Sequence, residues 1–423
     1  MSTRPPLVVL GGTYNALSAA RSVGARGVRT YVLSDGRGTP AVRYSRFVHH
    51  WQASDGGGDP TTGWLRWLAS GPRGAVILAA GDEGLEMVAT RRAELVALGY
   101  QPVEANDDVV RGMLDKEHSA ELAASVGVAA PATRRVGSLA EAVRTAAEFG
   151  YPCAIKPRHS HRLSQALGGH SAVKGAVVDD RAALERAYER LASSGADLTI
   201  TQFVVGPDDS YCSYYSFIDG DGQPLAHFTK RKLRQFPCSF GLGSYHMTAW
   251  EPEAAALGLQ LFQGIGVRGL ANVEFKRDAR DGRLKLIEAN LRLTAADDLV
   301  RRAGIDFAWL AYSRAAGHRS QRPVPLPGAP DFRVGLHQWL PSRDFRALRQ
   351  ANGLPRAVGT WSKTLLSRPY TPIFRMDDLG PSIVHARYVT ARLFSMARTN
   401  GQHGPAAVPP ASPAVETSDG PQP

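Results

Sequence analysis

A short segment near residue 290 carries three side chains that suit the binding of metal ions and anions. In residues 287–293 the side chains alternate regularly, so that Ile287, Ala289, Leu291 and Leu293 share one face and Glu288, Asn290 and Arg292 share the other. Carboxylate and amide oxygens suit a hard cation such as Mg²⁺. The guanidinium of Arg292 suits an anionic substrate or a developing negative charge. An antiparallel strand with one solvated face has the same pattern, so the alternation alone leaves both interpretations open.

The preceding segment supplies a second carboxylate. Glu274 lies within Ala271–Lys276, and Asp281-Gly282 between the two segments is a favourable hairpin turn. If the strands pair as a hairpin, Glu274 joins the polar face of its neighbour. The sequence therefore predicts a metal-binding face made of Glu274, Glu288 and Asn290.

Lysines at separate places along the chain could neutralise phosphate groups. Lys116 opens a helix, Lys156 ends a strand, and Lys174 follows a polar loop that contains Gly168 and Gly169. Such a loop offers backbone amides, while each lysine supplies a point charge. A polar surface hairpin would have the same composition. The histidines of this loop have no carboxylate or cysteine beside them to complete a metal site.

A third signal follows the strand pattern near residue 200. Gln202, Phe203 and Val204 lead through a Gly-Pro turn to Asp208 and Asp209. The backbone edge before the turn could pair with an adenine edge, and an acid after the turn could accept from ribose hydroxyls. Taken alone, Gly-Pro-Asp-Asp is simply a turn, which leaves the functional interpretation open.

A basic cluster precedes a glycine loop. Lys230–Gln235 includes Lys232 and Arg234, and Gly241–Gly243 follows it. The cluster could hold phosphates or a substrate carboxylate, although a solvated basic strand edge has the same composition. It lacks the neighbouring exposed aromatic residues or the motif of a nucleic-acid-binding surface. We therefore expect no nucleic-acid partner.

The elements that must position these groups divide the chain into regions. Residues 1–105 alternate short apolar strands with helices, which indicates an α/β region with an open, parallel, Rossmann-like sheet. Residues 106–325 combine alanine-rich helices with longer strands. Residues 326–400 form a basic extension; its stretch 331–400 holds 11 Lys and Arg against 4 Asp. Residues 401–423 are a proline-rich tail that the composition predicts to be disordered.

Composition excludes several classes of protein. The 423 residues are 43% hydrophobic and 21% charged, which excludes wholesale disorder. No stretch reaches about 18 uninterrupted apolar residues, so we expect no membrane span. The N-terminal residues lack a secretory signal and three scattered cysteines indicate reduced thiols, so we expect a cytoplasmic protein. Residues 381–399 could form a basic amphipathic helix at a membrane surface, although packing on the protein body is the commoner outcome.

Taken together and in this order, the central signals resemble the ATP-grasp superfamily over about residues 1–320. The two strands described first are most similar to the metal-binding strands of biotin carboxylase and D-alanine–D-alanine ligase. By this resemblance Glu274, Glu288 and Asn290 would coordinate Mg²⁺, with Mn²⁺ as a substitute, and Arg292 would face acyl-phosphate chemistry. The fold implied is a two-lobed ATP-grasp module with antiparallel sheets and a lid at about 130–205, preceded by the Rossmann-like region.

The resemblance also implies contacts with ATP. Lys116 and Lys156 match the two nucleotide lysines of the family, and residues 202–204 match the segment that meets adenine. Either Asp208 or Asp209 takes the place of the acid that contacts ribose. The phosphate loop has fewer glycines than the better-known members have. The stretch Lys230–Gln235, with Gly241–Gly243 after it, resembles most the D-aspartate ligase-like branch of carboxylate–amine ligases, and this resemblance implies catalytic roles for its Lys232 and Arg234 beside Arg292.

The activity implied is ATP-dependent formation of an amide bond. ATP would convert a small-molecule carboxylate into an acyl phosphate, and an amine such as an amino acid would then displace phosphate. Two alternatives stay open: carboxylation of the biotin carboxylase type, and a nucleotide-binding adaptor without ligase turnover. The interpretation of the chain as a dehydrogenase rests only on Gly11-Gly12 and Asp35, because the other glycines of a dinucleotide fingerprint are missing. The oligomeric state is open, with a homodimer as one expectation.

Overall fold

The structure is a computed structural model. The described residues are 4–36, 40–54, 59–158, 175–193, 195–239, 241–319, 321–326 and 328–399. Three predicted phosphate-binding residues, Gly168, Gly169 and Lys174, lie outside these ranges, and so does the predicted tail at 401–423.

The N-terminal region forms a parallel sheet. Its strands are β1 (Leu7–Leu10), β2 (Thr30–Ser34), β3 (His50–Ala53), β4 (Val76–Ala79) and β5 (Gln101–Pro102). Its helices are α1 (Tyr14–Gly24), α2 (Pro60–Ser70) and α3 (Asp82–Ala97). The strand order is β3-β2-β1-β4-β5, and every pair is parallel. The central strands β1 and β4 are completely buried, as their uninterrupted apolar runs predict.

A second, antiparallel sheet follows two short helices, α4 (Asp107–Met113) and α5 (Lys116–Ser125). Its strands are β6 (Thr133–Val136), β7 (Cys153–Pro157), β8 (Ala176–Val178) and β9 (Leu198–Gln202), in the order β6-β9-β7-β8. Helices α6 (Leu139–Phe149) and α7 (Arg181–Ala192) pack against it and share its small apolar core. This sheet therefore has a core of its own.

The third sheet is antiparallel and has six strands. They are β10 (Tyr211–Ile218), β11 (Pro224–Phe236), β12 (Leu242–Thr248), β13 (Gly269–Arg277), β14 (Leu284–Asn290) and β15 (His337–Trp339). Its helices are α8 (Pro252–Gly264), α9 (Asp297–Ala303) and α10 (Phe307–Ala315). The strand order is β14-β13-β10-β11-β12-β15. Strand β10, which is rich in tyrosine, is buried throughout and forms the middle of the sheet.

The region predicted as a basic extension is attached to the rest of the protein through several contacts. It supplies β15, which pairs with β12, and the helices α11 (Pro341–Thr364) and α12 (Gly380–Thr399). Near α12, the buried Asp378 accepts hydrogen bonds from Arg21 (2.8 Å), Ser45 (2.7 Å) and the backbone N–H of Arg46 (2.9 Å). A carboxylate buried among three donors forms a firm connection to the N-terminal sheet.

The predicted fold class, an open parallel sheet followed by antiparallel sheets, is confirmed. The domain boundaries stay a prediction. Among the described residues, no helix has the length and apolar character needed to cross a bilayer.

Candidate functional site

The predicted hairpin forms and sets two carboxylates directly opposite each other. Glu274 on β13 pairs with Glu288 on β14, and Asn272 pairs with Asn290 two residues further along. Directly opposed side chains in an antiparallel pair have Cβ atoms about 5 Å apart, and two like charges there repel. The face therefore suits a cation placed between the carboxylates, with an amide oxygen beside it.

Lys232 supplies one positive charge to this face. Its Nζ lies 2.6 Å from Oε2 of Glu274, and both side chains are largely buried. Within the described ranges no cluster of three or more His, Cys, Asp or Glu side chains could hold a metal ion. The face thus offers two carboxylates and an amide, which fits Mg²⁺, because Mg²⁺ usually keeps several waters and takes one or two carboxylates together with substrate phosphates.

The two predicted nucleotide lysines meet at the end of β7. Asp115 caps α5, and Lys116 at the start of that helix donates from Nζ to the carbonyl oxygen of Pro157 at 2.8 Å. Lys156 precedes Pro157 on β7. Burial lowers the pKa of Lys156, although the Glu288 carboxylate acts in the opposite direction. The influence of Glu288 on this pKa indicates that the Lys156 ammonium lies near the opposed carboxylates.

The segment between β9 and β10 contains the residues predicted at adenine. Gln202 ends β9, Phe203 is half-buried and Val204 is buried. The carbonyl oxygen of Phe203 accepts a hydrogen bond of 2.8 Å from the side chain of Arg280. The N–H of Ala279 donates to the carbonyl oxygen of Val205, also at 2.8 Å. These bonds fix the backbone of the segment against the turn between β13 and β14.

The two acids predicted at the ribose have different surroundings. Asp208 accepts hydrogen bonds from the side chain of Gln235 at 2.7 Å and from the N–H of Ser239 at 3.0 Å. Asp209 is exposed. Asp208 therefore links the segment to the basic cluster on β11, while Asp209 is accessible to a ligand.

Arg292 connects the hairpin to the N-terminal region. Its Nε donates to Asp82 at 2.6 Å, and its Nη1 donates to the carbonyl oxygen of Leu293 at 3.1 Å. Asp82 is the first residue of α3. Burial opposes the charge of Arg292, but Asp82 outweighs this effect and the pKa of Arg292 is raised. The guanidinium is therefore permanently charged and held in position beside the opposed carboxylates.

No protein-family model matches the chain. Curated relatives are similar at 26% identity: the N-terminal section of the carbamoyl phosphate synthase large chain of Methanopyrus kandleri, a D-alanine–D-alanine ligase of Ectopseudomonas mendocina, and a D-aspartate ligase of Enterococcus faecium. These similarities cover 59%, 47% and 38% of the chain respectively. The chain in turn spans 44%, 63% and 39% of the length of these relatives.

Solved structures are similar to a larger part of the chain than these curated relatives are. One of them is the biotin carboxylase domain of the Hydrogenobacter thermophilus 2-oxoglutarate carboxylase, solved with MgADP and bicarbonate. The similarity covers 79% of the chain and 73% of that domain, with a TM-score of 0.60 and 18% sequence identity. An ADP complex of N5-carboxyaminoimidazole ribonucleotide synthetase covers 77% with a TM-score of 0.58 and 14% identity, and 81% of it is matched. The chain has the ATP-grasp fold. The curated relatives support a place in the ATP-grasp superfamily, without deciding the branch.

One buried lysine near the predicted site was considered in the sequence only as part of a strand. Lys276 on β13 is completely buried, and its Nζ has no hydrogen-bond partner among the described residues. The ammonium lies 5.0 Å from the ring centroids of Phe203 and Tyr211. Burial lowers its pKa. A buried ammonium without an acceptor is costly, and a nucleotide bound beside Phe203 would supply that acceptor. Lys276 lies two residues after Glu274, and such residues of a strand share a face, so the spacing could have identified this lysine in the sequence.

Asp297 is a second residue that the sequence did not single out. It begins α9, is 5% exposed and accepts a hydrogen bond from the N–H of Thr294. Its Oδ1 has no partner among the described residues. Burial raises the pKa of Asp297 to about 7, against the opposing influence of Thr294 and of the Arg292 guanidinium. A carboxyl group that titrates near neutrality, beside Arg292, is suited to accept a proton.

The basic cluster on β11 contains a buried pair. Lys230 donates to Ser213 at 3.2 Å, and its Nζ lies 3.3 Å from Nδ1 of His246. Burial lowers the pKa of Lys230 to about 8. Burial together with Lys230, Lys232 and Arg343 holds the pKa of His246 well below its usual value. His246 is therefore neutral and accepts from Lys230, and the positive charges around it favour an anionic ligand.

Arg234, predicted to be catalytic, is engaged elsewhere. Its guanidinium donates to both carboxylate oxygens of Asp344 at 2.7 and 2.8 Å and to the hydroxyl of Thr364 at 2.8 Å. Asp344 is completely buried and also accepts from Trp339 and Ser244. These contacts give Arg234 a role in attaching α11 to the sheet, and its catalytic role stays a prediction.

Proposed function

We propose that the chain is an ATP- and Mg²⁺-dependent carboxylate–amine ligase of the D-aspartate ligase-like branch. The observation that carries this proposal is the opposition of Glu274 and Glu288 on paired strands, with Lys156, Lys232 and Arg292 beside them. A pair of carboxylates among three basic groups suits the transfer of a phosphoryl group from ATP to an acid. A cytoplasmic location is part of the proposal.

In the first step, an oxygen of the substrate carboxylate attacks the γ-phosphorus of ATP. The bond from this phosphorus to the β–γ bridging oxygen breaks, so that ADP and an acyl phosphate form. Lys116 and Lys156 would neutralise the phosphates, and Lys276 would bind the nucleotide beside Phe203. Mg²⁺ held by the opposed carboxylates and Asn290 would supply further neutralisation of phosphate charge.

In the second step, the amine nitrogen attacks the acyl carbon and inorganic phosphate leaves, which forms the amide. The amine must lose a proton in this step, and the carboxylate of Asp297 would take it. Arg292 and Lys230 would stabilise the negative charge that develops on the acyl oxygen and the departing phosphate. The protein then needs no nucleophile of its own.

The similarity to biotin carboxylase and to N5-carboxyaminoimidazole ribonucleotide synthetase favours a second candidate function. In this alternative bicarbonate would be the acid that is phosphorylated. ADP release that depends on bicarbonate, and that no other carboxylate supports, would favour carboxylation over amide formation.

Release of ADP, measured with Mg²⁺ATP across pairs of carboxylates and amino acids, tests the proposal. Glu288→Ala and Lys156→Ala should each abolish release with the active pair, because the first removes a metal ligand and the second a phosphate contact. Glu189→Ala, on the exposed face of α7, is the matched control and should retain activity. Full activity in Glu288→Ala would contradict the site. Binding of ATP without ADP release from any pair would favour the adaptor.

A further inference from the structure

Exposed apolar side chains are concentrated in the C-terminal region of the protein. The described residues include 14 large hydrophobic side chains that are exposed to solvent, and 10 of them lie between Val334 and Tyr388. The most exposed are Leu366 at 82% and Met376 at 74%. Single exposed apolar residues need no explanation, whereas a group of them on one element can mark a surface that meets a partner.

The second half of α11 carries the most regular part of this surface. Gly353, with a φ of +71°, breaks the helix and sets a new direction from residue 354 onward. Ala357 and Thr364 are buried and hold one side of this half against the protein. Four apolar side chains of this half and of the turn after it are about half exposed or more. We term them the α11 stripe: Leu354, Val358, Leu365 and Leu366.

The geometry of the stripe is that of an amphipathic helix. Leu354 and Val358 are four residues apart, and Leu365 follows seven residues later, so the three side chains point in nearly the same direction. Leu365 and Leu366 belong to the 3₁₀ turn Leu365–Ser367 that directly follows α11. Arg356 and Lys363 are exposed on the same half of α11. Apolar side chains flanked by basic ones are typical of helices that lie in a membrane interface.

The charge around the stripe selects among the possible partners. Residues 345–376 contain six Lys and Arg and no Asp or Glu. A second copy of the chain docked symmetrically through this segment would bring these positive charges together, which is unfavourable. A nucleic acid would match the charge but would leave the aliphatic side chains without an apolar partner. An anionic lipid surface satisfies both the charge and the apolar side chains.

We propose that the α11 stripe docks the protein on the surface of a membrane that contains anionic lipids. Leu365 and Leu366 enter the boundary between headgroups and acyl chains, while Arg356 and Lys363 contact lipid phosphates. The first half of α11 is attached to the six-stranded sheet through Asp344. Docking therefore holds the whole protein in one orientation on the surface, and it is independent of the proposed ligase chemistry.

Co-sedimentation of the protein with vesicles tests this proposal. Vesicles of phosphatidylcholine alone are compared with vesicles of phosphatidylcholine mixed with phosphatidylglycerol, at low and high salt. We expect binding to the anionic vesicles that weakens as salt rises. Arg356→Gln with Lys363→Gln should weaken binding about 30-fold, since each basic residue near an anionic surface contributes about 1 kcal/mol. Leu365→Ser with Leu366→Ser should weaken it at least about tenfold.

Matched controls keep the result interpretable. Val96→Ser replaces an exposed apolar residue on α3, and Arg144→Gln replaces an exposed basic residue on α6; both should bind as the unmodified protein does. Unchanged circular dichroism and unchanged ATP binding in the stripe variants would show that they fold. Absence of binding, equal binding to neutral vesicles, or a change in oligomeric mass without a change in vesicle binding would overturn the proposal.

Discussion

Replacement of Lys276 by Met is expected to stabilise the protein in the absence of nucleotide. The Lys276 ammonium is completely buried without a hydrogen-bond partner among the described residues, and its Nζ lies 5.0 Å from the ring centroids of Phe203 and Tyr211. Methionine keeps a long, unbranched side chain beside these rings and removes the desolvated charge. Replacing buried charges with apolar residues of similar volume often stabilises a protein by about 1–4 kcal/mol. In a chain of this size, about 1 kcal/mol raises the Tm by about 2 °C.

The same change should weaken the binding of ATP. A hydrogen bond to a charged group contributes about 1.5–3 kcal/mol, so its loss should raise the Kd for MgATP about 10- to 150-fold. Without nucleotide, the variant should therefore be more stable than the unmodified protein. Added MgATP should stabilise it less, because the variant binds this ligand more weakly. Such an opposition between stability and binding is typical of functional sites.

Thermal unfolding with and without MgATP, together with calorimetric titration, measures both effects of Lys276→Met. Lys285→Met is the matched control, because its Nζ donates to Asp278 at 2.8 Å and lies 3.0 Å from Asp281. This control should lower the Tm, since it leaves carboxylates without their partner, and should bind MgATP normally. Unchanged MgATP affinity in Lys276→Met would refute the assignment of this lysine to the nucleotide.

Two further predictions concern pH and stability. The ligase rate should rise as Asp297 ionises near pH 7 and fall as Lys230 loses its proton near pH 8. In profiles of rate against pH, Asp297→Asn should therefore remove the rise on the acid side. Lys230→Arg should move the fall on the alkaline side to higher pH. Profiles that these changes leave unaltered would contradict the two roles. Asp344→Asn should lower the free energy of unfolding in urea by about 3–5 kcal/mol, because it leaves the Arg234 guanidinium without its buried carboxylate. A loss below about 1 kcal/mol would exclude Asp344 as an anchor.

The parts of the fold that local patterns determine could be predicted from the sequence. The hairpin that opposes Glu274 and Glu288 follows from an alternating strand and a turn at Asp281-Gly282, all within 20 residues. Strand β10 is rich in aromatic residues, which favour a buried strand and can be read directly from the sequence. The parallel N-terminal sheet follows from its alternation of strands and helices.

Contacts between distant parts of the chain could not be predicted in this way. Arg234 meets Asp344 across 110 residues, and no local periodicity indicates that β15 pairs with β12. The pKa of Asp297 depends on burial, which only the folded chain creates. The sequence therefore identified the groups that carry charge at the site, while the structure was needed to show which of them other side chains already engage.

The proposed function depends on activation of a carboxylate by phosphorylation before an amine attacks it. The most direct test uses the acid and amine pair that gives ADP release, with ¹⁸O in the carboxylate of the acid. Transfer through an acyl phosphate moves one labelled oxygen into the inorganic phosphate that leaves, which mass spectrometry detects. We predict phosphate that carries one ¹⁸O atom per amide formed. Amide formation with unlabelled phosphate would contradict the account.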